Sequence, residues 1–344
     1  MKRYISILLL VFIFILCTSS TISFNVMVPA PIGLPQNIKT IALVDRTVPE
    51  NKKTNIIEGV LTGEGAGQDK DAAQIAIDGA FSVMQNTQRF QVIRTTERLK
   101  GSDIGKNFPD PLPWTTIIAL CKKYNVDAII SLESFDSDFI VTSALKPGSV
   151  SGGDGKSIPI PVPTAKGVAT VNLGFRIYDP YSKSIIDEYR FSHHKDWESQ
   201  GNSLEGVVKT LIGKNEAVKE VSYNSGVIYA KRITPGWYRV SRTYYRKCKH
   251  NRDLAEGARM MEINDWPNAI SALEKAIQNG KRKVKGRASH NLAVVYEILG
   301  NFDNAKKYAQ DAYARYRNKP SKDYLYDLNR RIRAQEVLDQ QMNQ

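Results

Sequence analysis

Carboxylates stand at two places where a strand should hand over to a loop: Asp45 after Ile38–Val44, and Glu133, Asp136 and Asp138 after Val126–Leu132. In α/β sheets, sites gather at the carboxyl ends of strands, and carboxylates there could act as general acid and base or hold a metal. Carboxylates also end strands simply as turn-forming, solubilising residues, and we read these that way. An envelope hydrolase or carbohydrate-acting enzyme using the strand-end carboxylates is the alternative. Gly63, Gly65, Gly67 and Lys70 lie between a strand and a helix, where a phosphate loop would lie. The spacing is wrong, no Ser or Thr follows Lys70, and Asp69 and Asp71 would repel phosphate, so a surface loop is expected. His193 and His194 are adjacent on a strand and point to opposite faces, which does not suit chelation. There is no Gly-x-Ser-x-Gly elbow. We expect no enzyme: no catalytic residue, no metal and no cofactor is assigned.

The elements that would position these groups follow a strand–helix alternation. Ile38–Val44 reads as a buried strand, with a helix near 70–87 whose apolar stripe is Ala73, Ile77, Ala80, Phe81 and Met84. Phe90–Ile93 is a strand, Trp114–Tyr124 a helix and Val126–Leu132 a third strand, which argues for a layered, partly parallel sheet. Residues 146–164, with Pro147, Gly148, Gly152, Gly153, Gly155, Pro159, Pro161 and Pro163, read as a flexible loop. Gly167–Tyr178 and Ile185–His193 form a hairpin about the Asp179-Pro180-Tyr181-Ser182 turn. Helices follow near 203–212 and 215–233, and Trp237–Tyr245 closes the domain as an alternating strand.

The C-terminal 95 residues carry one pattern twice. Gly257, Met260, Trp266, Ala269, Leu273 and Ala276 recur 36 positions on as Ala293, Tyr296, Phe302, Ala305, Ala309 and Ala312. That is a helix–turn–helix repeat close to the 34-residue tetratricopeptide period, an architecture that binds partners. Trp266, Phe302 and the alanines are read as its core. The face for a protein partner is then lined by Arg259, Glu262, Asn291, Val295 and Arg333, with Asn291 able to hold a peptide backbone by donating and accepting at once. A structural role for Asn291 is the competing reading. The polar helix Tyr324–Met342 would cap the array.

The N-terminus, Lys2 and Arg3 followed by the apolar run Ile5–Leu16, reads as a secretory signal over residues 1–23. Cys17 sits where a lipoprotein signal places its lipidated cysteine, although Leu16 is larger than the small residue usual before it. The alternative is a secreted soluble periplasmic protein, cut after Ser20 or Ser23. Residues 24–37, with three prolines, read as an extended tether or edge strand. Only Cys121 and Cys248 remain, too few for a disulfide framework, and Cys121 reads as a small buried hydrophobe. The net charge of +13 is concentrated late: residues 246–344 hold 20 Lys and Arg against 12 Asp and Glu. The densest run is Lys281–Arg287. An exported protein rarely meets nucleic acid, so this reads as a solvated surface between repeats, with anionic lipid or polymer as the sharper alternative.

Three stretches resemble a family of uncharacterised Bacteroidetes-type envelope lipoproteins. They are Cys17 with Val28–Ile32 and Ile38–Arg46, then Tyr229–Trp237 with Arg242–Tyr245, and finally Asp265–Ala269 with Asn291–Glu297. The resemblance implies an exported, lipid-anchored protein and brings no activity with it. Residues 38–135 also look like the α/β domain of outer-membrane assembly lipoproteins such as the curli secretion lipoprotein.

The expectation is therefore a mixed-sheet α/β domain over 38–245 and an all-α tetratricopeptide-like array over 250–344. The function expected is a non-enzymatic scaffold on the periplasmic side of the outer membrane. A protein partner would bind the repeats, Cys17 would reach the membrane, no nucleic acid is involved, and self-association is a possible addition.

Overall fold

The structure, a computed structural model, describes residues 19–48, 68–101, 108–151, 157–248 and 251–342. Residues 1–18 with Cys17, where a leader is expected, the Gly63–Gly67 run and residues 152–156 lie outside the described residues. Two compact units emerge. One joins the chain up to Pro29 with Gly236–Gln340, and the other is built from Ala30–Pro235.

In the α/β unit, β2 (Thr40–Val48), β3 (Gln91–Lys100) and β4 (Ala128–Ser151) run parallel, while β5 (Ser157–Asp179) and β6 (Ser184–Gln200) add antiparallel strands, in the order β3-β2-β4-β5-β6. Residues of β2 are buried alternately on two faces, which explains its unbroken apolar run. Ile41 and Leu43 join α1 (Gln68–Met84) and α4 (Lys214–Ile233) in one core; Ala42 and Val44 join α2 (Trp114–Tyr124) in another. A short α3 (Leu204–Lys209) precedes α4. The α1–α4 pair packs backbone to backbone: a Cβ on Gly226 would lie 1.8 Å from the Ala76 carbonyl oxygen, and one on Gly79 would lie 2.0 Å from that of Tyr223. Only glycine permits that approach. Beneath the pair, Phe175 and Tyr229 stack at 4.0 Å between ring centroids.

The 146–164 loop is corrected to strand. Residues 145–151 pair with 157–163, so β4 and β5 continue as a two-stranded arm on both sides of 152–156. The prolines misled because they sit on the open edge. β6 ends opposite Thr164, and the Pro163 carbonyl accepts from Gly201 N–H on that side. Pro159, Pro161 and Pro163 are two apart, so all three nitrogens face the side away from β4, which β6 leaves open beyond Gly201 and where a missing N–H removes nothing from the ladder.

The helical unit opens with a ribbon rather than a tether. β1 (Ser19–Val28) pairs antiparallel with β7 (Gly236–Tyr245), from Ser19 opposite Tyr245 to Val28 opposite Gly236. Of the two readings of residues 24–37, strand holds as far as Val28, and one expectation is corrected. β7 packs with the helices instead of closing the α/β domain, because its inward Tyr244 belongs to their core. Four helices follow as two hairpins: α5 (Arg252–Glu262), α6 (Trp266–Asn279), α7 (Arg282–Ile298) and α8 (Phe302–Gln310). A single π-turn (Asp311–Arg315) leads to α9 (Pro320–Met342). The two hairpin turns are alike to a degree that sequence alone could only suggest. Asp265 has φ −85° and ψ 78°, and Asn301 has −86° and 78°; each side chain accepts from the N–H three residues on. Just before them Asn264 (φ 60°) and Gly300 (φ 74°) take left-handed backbone to end the preceding helix. Among the described residues no helix is long and apolar enough to cross a membrane.

Candidate functional site

On α7 a polar pair interrupts an apolar face: His290 and Asn291 precede Leu292-Ala293-Val294-Val295, and all six are buried. Buried polar groups need partners, and β7 supplies them. Tyr245 N–H donates to Asn291 Oδ1 at 2.8 Å, and Asn291 Nδ2 donates to the Tyr245 carbonyl at 2.7 Å. His290 Nε2 lies 2.9 Å from the Thr243 carbonyl and its Nδ1 lies 2.9 Å from Ser321 Oγ. A carbonyl can only accept, so Nε2 carries the proton and Nδ1 accepts from Ser321. Burial holds the His290 imidazole below its ordinary pKa, and the Thr243 contact pulls the other way. About two turns on, Glu297 takes both Nε and Nη2 of Arg242 at 2.9 and 2.8 Å and accepts from Tyr324 hydroxyl at 2.9 Å. Burial, then the Glu297 charge, pushes the Tyr324 phenol well above its ordinary range.

The five residues expected to form a partner face are therefore not one surface. Asn291 and Val295 are fully buried, which corrects their assignment as partner-binding residues. Asn291 does hold a peptide backbone as its chemistry suggested, but the backbone is that of β7. Glu262 is exposed and accepts from the Tyr244 hydroxyl at 3.0 Å and from Arg246 Nε at 2.9 Å. Arg259 and Arg333 are exposed. His290, Glu297 and Arg242 were missed. The available signal was two polar residues side by side in an apolar helix, but their partner strand lies 46 to 55 residues away in sequence.

The carboxylates expected at strand ends are corrected to positions within strands, Asp45 inside β2 and Glu133, Asp136 and Asp138 inside β4, because β4 runs on to Ser151 instead of ending at Leu132. Glu133 occupies a bulge between Leu132 and Ser134 and its side chain is fully buried. Its Oε2 is 2.7 Å from Arg46 Nη1 and 3.7 Å from Arg176 Nη1, and its Oε1 accepts from Tyr178 hydroxyl at 2.7 Å. Burial raises the Glu133 carboxyl above its usual range, against the pull of Arg46. Asp45 pairs with Arg98 at 2.8 Å and accepts from Gln74 and from Thr47. Asp136 accepts from Asn172, and Asp138 is exposed. Nothing brings Glu133 and Asp136 onto a common open site. Cys121 and Cys248 are both free thiols, and Cys121 is buried with its thiol pushed up to about 11, first by desolvation.

Comparison with known proteins gives families without activities. Residues 255–333 match a Domain of unknown function (DUF6340), and residues 38–245 match a Domain of unknown function (DUF8603). No curated protein matches the chain. Among solved structures, a neuraminyllactose-binding hemagglutinin homolog from Helicobacter pylori is 11% identical with a TM-score of 0.25, the alignment covering 58% of this chain and 88% of that one. A superposition that loose carries no argument. The 38–245 match spans well over half of the chain, so the protein belongs to the DUF8603 family.

Proposed function

We propose that the protein is a non-enzymatic envelope lipoprotein, anchored through Cys17 on the periplasmic side of the outer membrane, that binds a protein partner through tetratricopeptide-like repeats. The observation that carries this reading is the pair of equivalent turns 36 residues apart, at Asp265 and Asn301, because stacked identical hairpins build surfaces for partners. The ribbon supports the anchor. β1 starts two residues after Cys17, and a cut after Ser20 or Ser23 would strip strand residues from their places opposite Tyr245, Tyr244 and Ser241. Processing before Cys17 keeps the whole strand. The resemblance to Bacteroidetes-type envelope lipoproteins supports the same placement.

With Asn291 and Val295 buried, partner contact is assigned to the exposed Arg259 and Arg333, tested together because each lies on its own helix. The test is affinity capture from detergent-solubilised envelope with the wild-type chain and the double variant Arg259→Glu, Arg333→Glu, both checked for folding by circular dichroism. A partner held by the wild type and lost by the variant is expected. Identical capture by both would overturn the assignment.

One observation favours a second reading, a self-associating subunit of an outer-membrane assembly or secretion complex. The β4–β5 arm leaves Ile140 and Leu145 more than half exposed, at 58% and 57%. Light scattering on the purified chain decides it: a clean monomer at high concentration sinks this reading.

A further inference from the structure

The basic run of the sequence lines a cavity. About 340 Å³ of space opens beside Tyr245, walled by Arg282, Lys283, Arg287, Arg317 and Lys319, with no carboxylate among the lining residues. We propose that this basin binds the phosphate of an anionic lipid headgroup, fixing the helical unit against the membrane to which Cys17 is attached; the inference rests on the lipoprotein reading above.

Four features of the basin carry the chemistry. First, its floor is built in advance. Arg287 donates to the Lys247 carbonyl at 2.8 Å and lies over the Tyr245 ring at 4.8 Å; Tyr245 hydroxyl donates to Asn318 at 3.1 Å; and Asn318 Nδ2 donates to the Gly286 carbonyl at 3.0 Å. A Cβ on Gly286 would press on Tyr316 at 3.0 Å, so the glycine brings α7 close against the 316–318 turn.

Second, α7 begins in a way its own stability disfavours. Its N-cap is Lys281, which makes no side-chain cap, and its first turn carries basic residues and no acidic one. Cations at a helix N-terminus oppose the macrodipole, and the first N–H groups lack the acceptor that Ser or Asp would provide. A bound phosphate answers both, accepting from those N–H groups and neutralising the side chains. Third, Arg317 holds left-handed backbone at φ 60°. Where the repeat hairpins turn, that conformation falls to Asn264 and Gly300, residues that tolerate it; here it falls to an arginine that lines the basin.

The fourth feature decides between a lipid and a free phosphate. Tyr245, on the basin wall, is paired with Ser19, two residues after Cys17. Two residues reach about 7 Å. A lipid on Cys17 therefore holds the basin at the bilayer surface, where headgroup phosphates are the most concentrated anions.

The test uses the chain from Thr18 onward, which keeps every described element and carries no lipid. It is sedimented with vesicles of phosphatidylcholine alone and of phosphatidylcholine mixed with phosphatidylglycerol. The basin variant Arg282→Glu, Lys283→Glu, Lys319→Glu is compared with Lys122→Glu, Lys219→Glu, Lys231→Glu, an equal change of charge on exposed lysines of the α/β unit. We expect binding only to the anionic vesicles, weakened by the basin variant at least about a hundredfold, from roughly fivefold for each of the three cations removed before the added carboxylates repel the leaflet. The control variant should bind like the wild type. Equal loss in both variants would reduce the effect to a diffuse positive field and overturn the site. Binding of free glycerol phosphate by the chain with no sedimentation on anionic vesicles would assign the basin to a soluble phosphate and overturn the lipid. Failure of the anchor reading is seen separately, as an unmodified Cys17 peptide by mass spectrometry of the native envelope protein, and leaves the sedimentation result intact.

Discussion

The Asn291 amide closes a two-way ring with the backbone of Tyr245, receiving its N–H at 2.8 Å and donating to its carbonyl at 2.7 Å. The geometry is that of one more rung in a β-ladder, provided by a helix. It fixes the end of β7, and with it the start of β1 opposite, to the repeats.

Removing the ring should loosen the ribbon before the helices. Asn291→Leu leaves the half-buried N–H and carbonyl of Tyr245 without partners, worth about 2 kcal/mol together. Urea unfolding of the variant should report that loss, and hydrogen exchange at the Tyr245 amide should accelerate well beyond the global change. Asn291→Asp restores only the acceptor and should recover part of the stability at most. Unaltered exchange at Tyr245 would show that the ring does not hold the strand.

The repeat was legible because its information is local. Asp265 and Asn301 cap their own helices, and Trp266 and Phe302 recur at the same offset of 36, so the stretch from 265 to 302 contains the evidence. The ribbon was not legible, because β1 and β7 lie more than 200 residues apart and neither strand announces its partner. Asn291 stands between these cases. Its capacity to hold a backbone follows from an amide, but which backbone it holds is a tertiary fact. Proline at 159, 161 and 163 misled for a different reason: the same residue ends a strand inside a sheet and protects one at its edge.

His290 makes stability depend on pH in a stated direction. Its ordinary pKa is near 6.5, and burial lowers it in the folded protein. Between the lowered value and 6.5 the unfolded chain binds more protons, so stability falls as pH drops through 6.5 toward the folded pKa. The slope contributed approaches about 1.4 kcal/mol per pH unit within that window. Unfolding free energies measured at successive pH values should show the decline, and His290→Gln, which cannot titrate, should flatten that part of the profile. A variant with the same pH profile as the wild type would sink the argument.

The α1–α4 contact should tolerate no side chain. Gly226→Ala places a methyl 1.8 Å from the Ala76 carbonyl oxygen, a position backbone must vacate. Separation of the helices should lower stability by about 3 kcal/mol, read by thermal or urea unfolding. Gly213→Ala is the control, since a Cβ there meets nothing within 4 Å. Equal stability of the two variants would mean that α1 and α4 are not held at this distance.

The arm's prolines predict what keeps its edge single. Pro159, Pro161 and Pro163 turn their nitrogens to the side that β6 leaves uncovered, so an approaching strand finds carbonyls and no donors. Replacing all three by threonine supplies three N–H groups in a row to an edge whose neighbouring strand already exposes Ile140 and Leu145. The variant should fold, because pairing with β4 uses the opposite side of these residues, and it should self-associate at concentrations where the wild type does not grow. Light scattering against concentration reads the difference. If the threonine variant scatters as the wild type does, the prolines shape the arm and do not guard it.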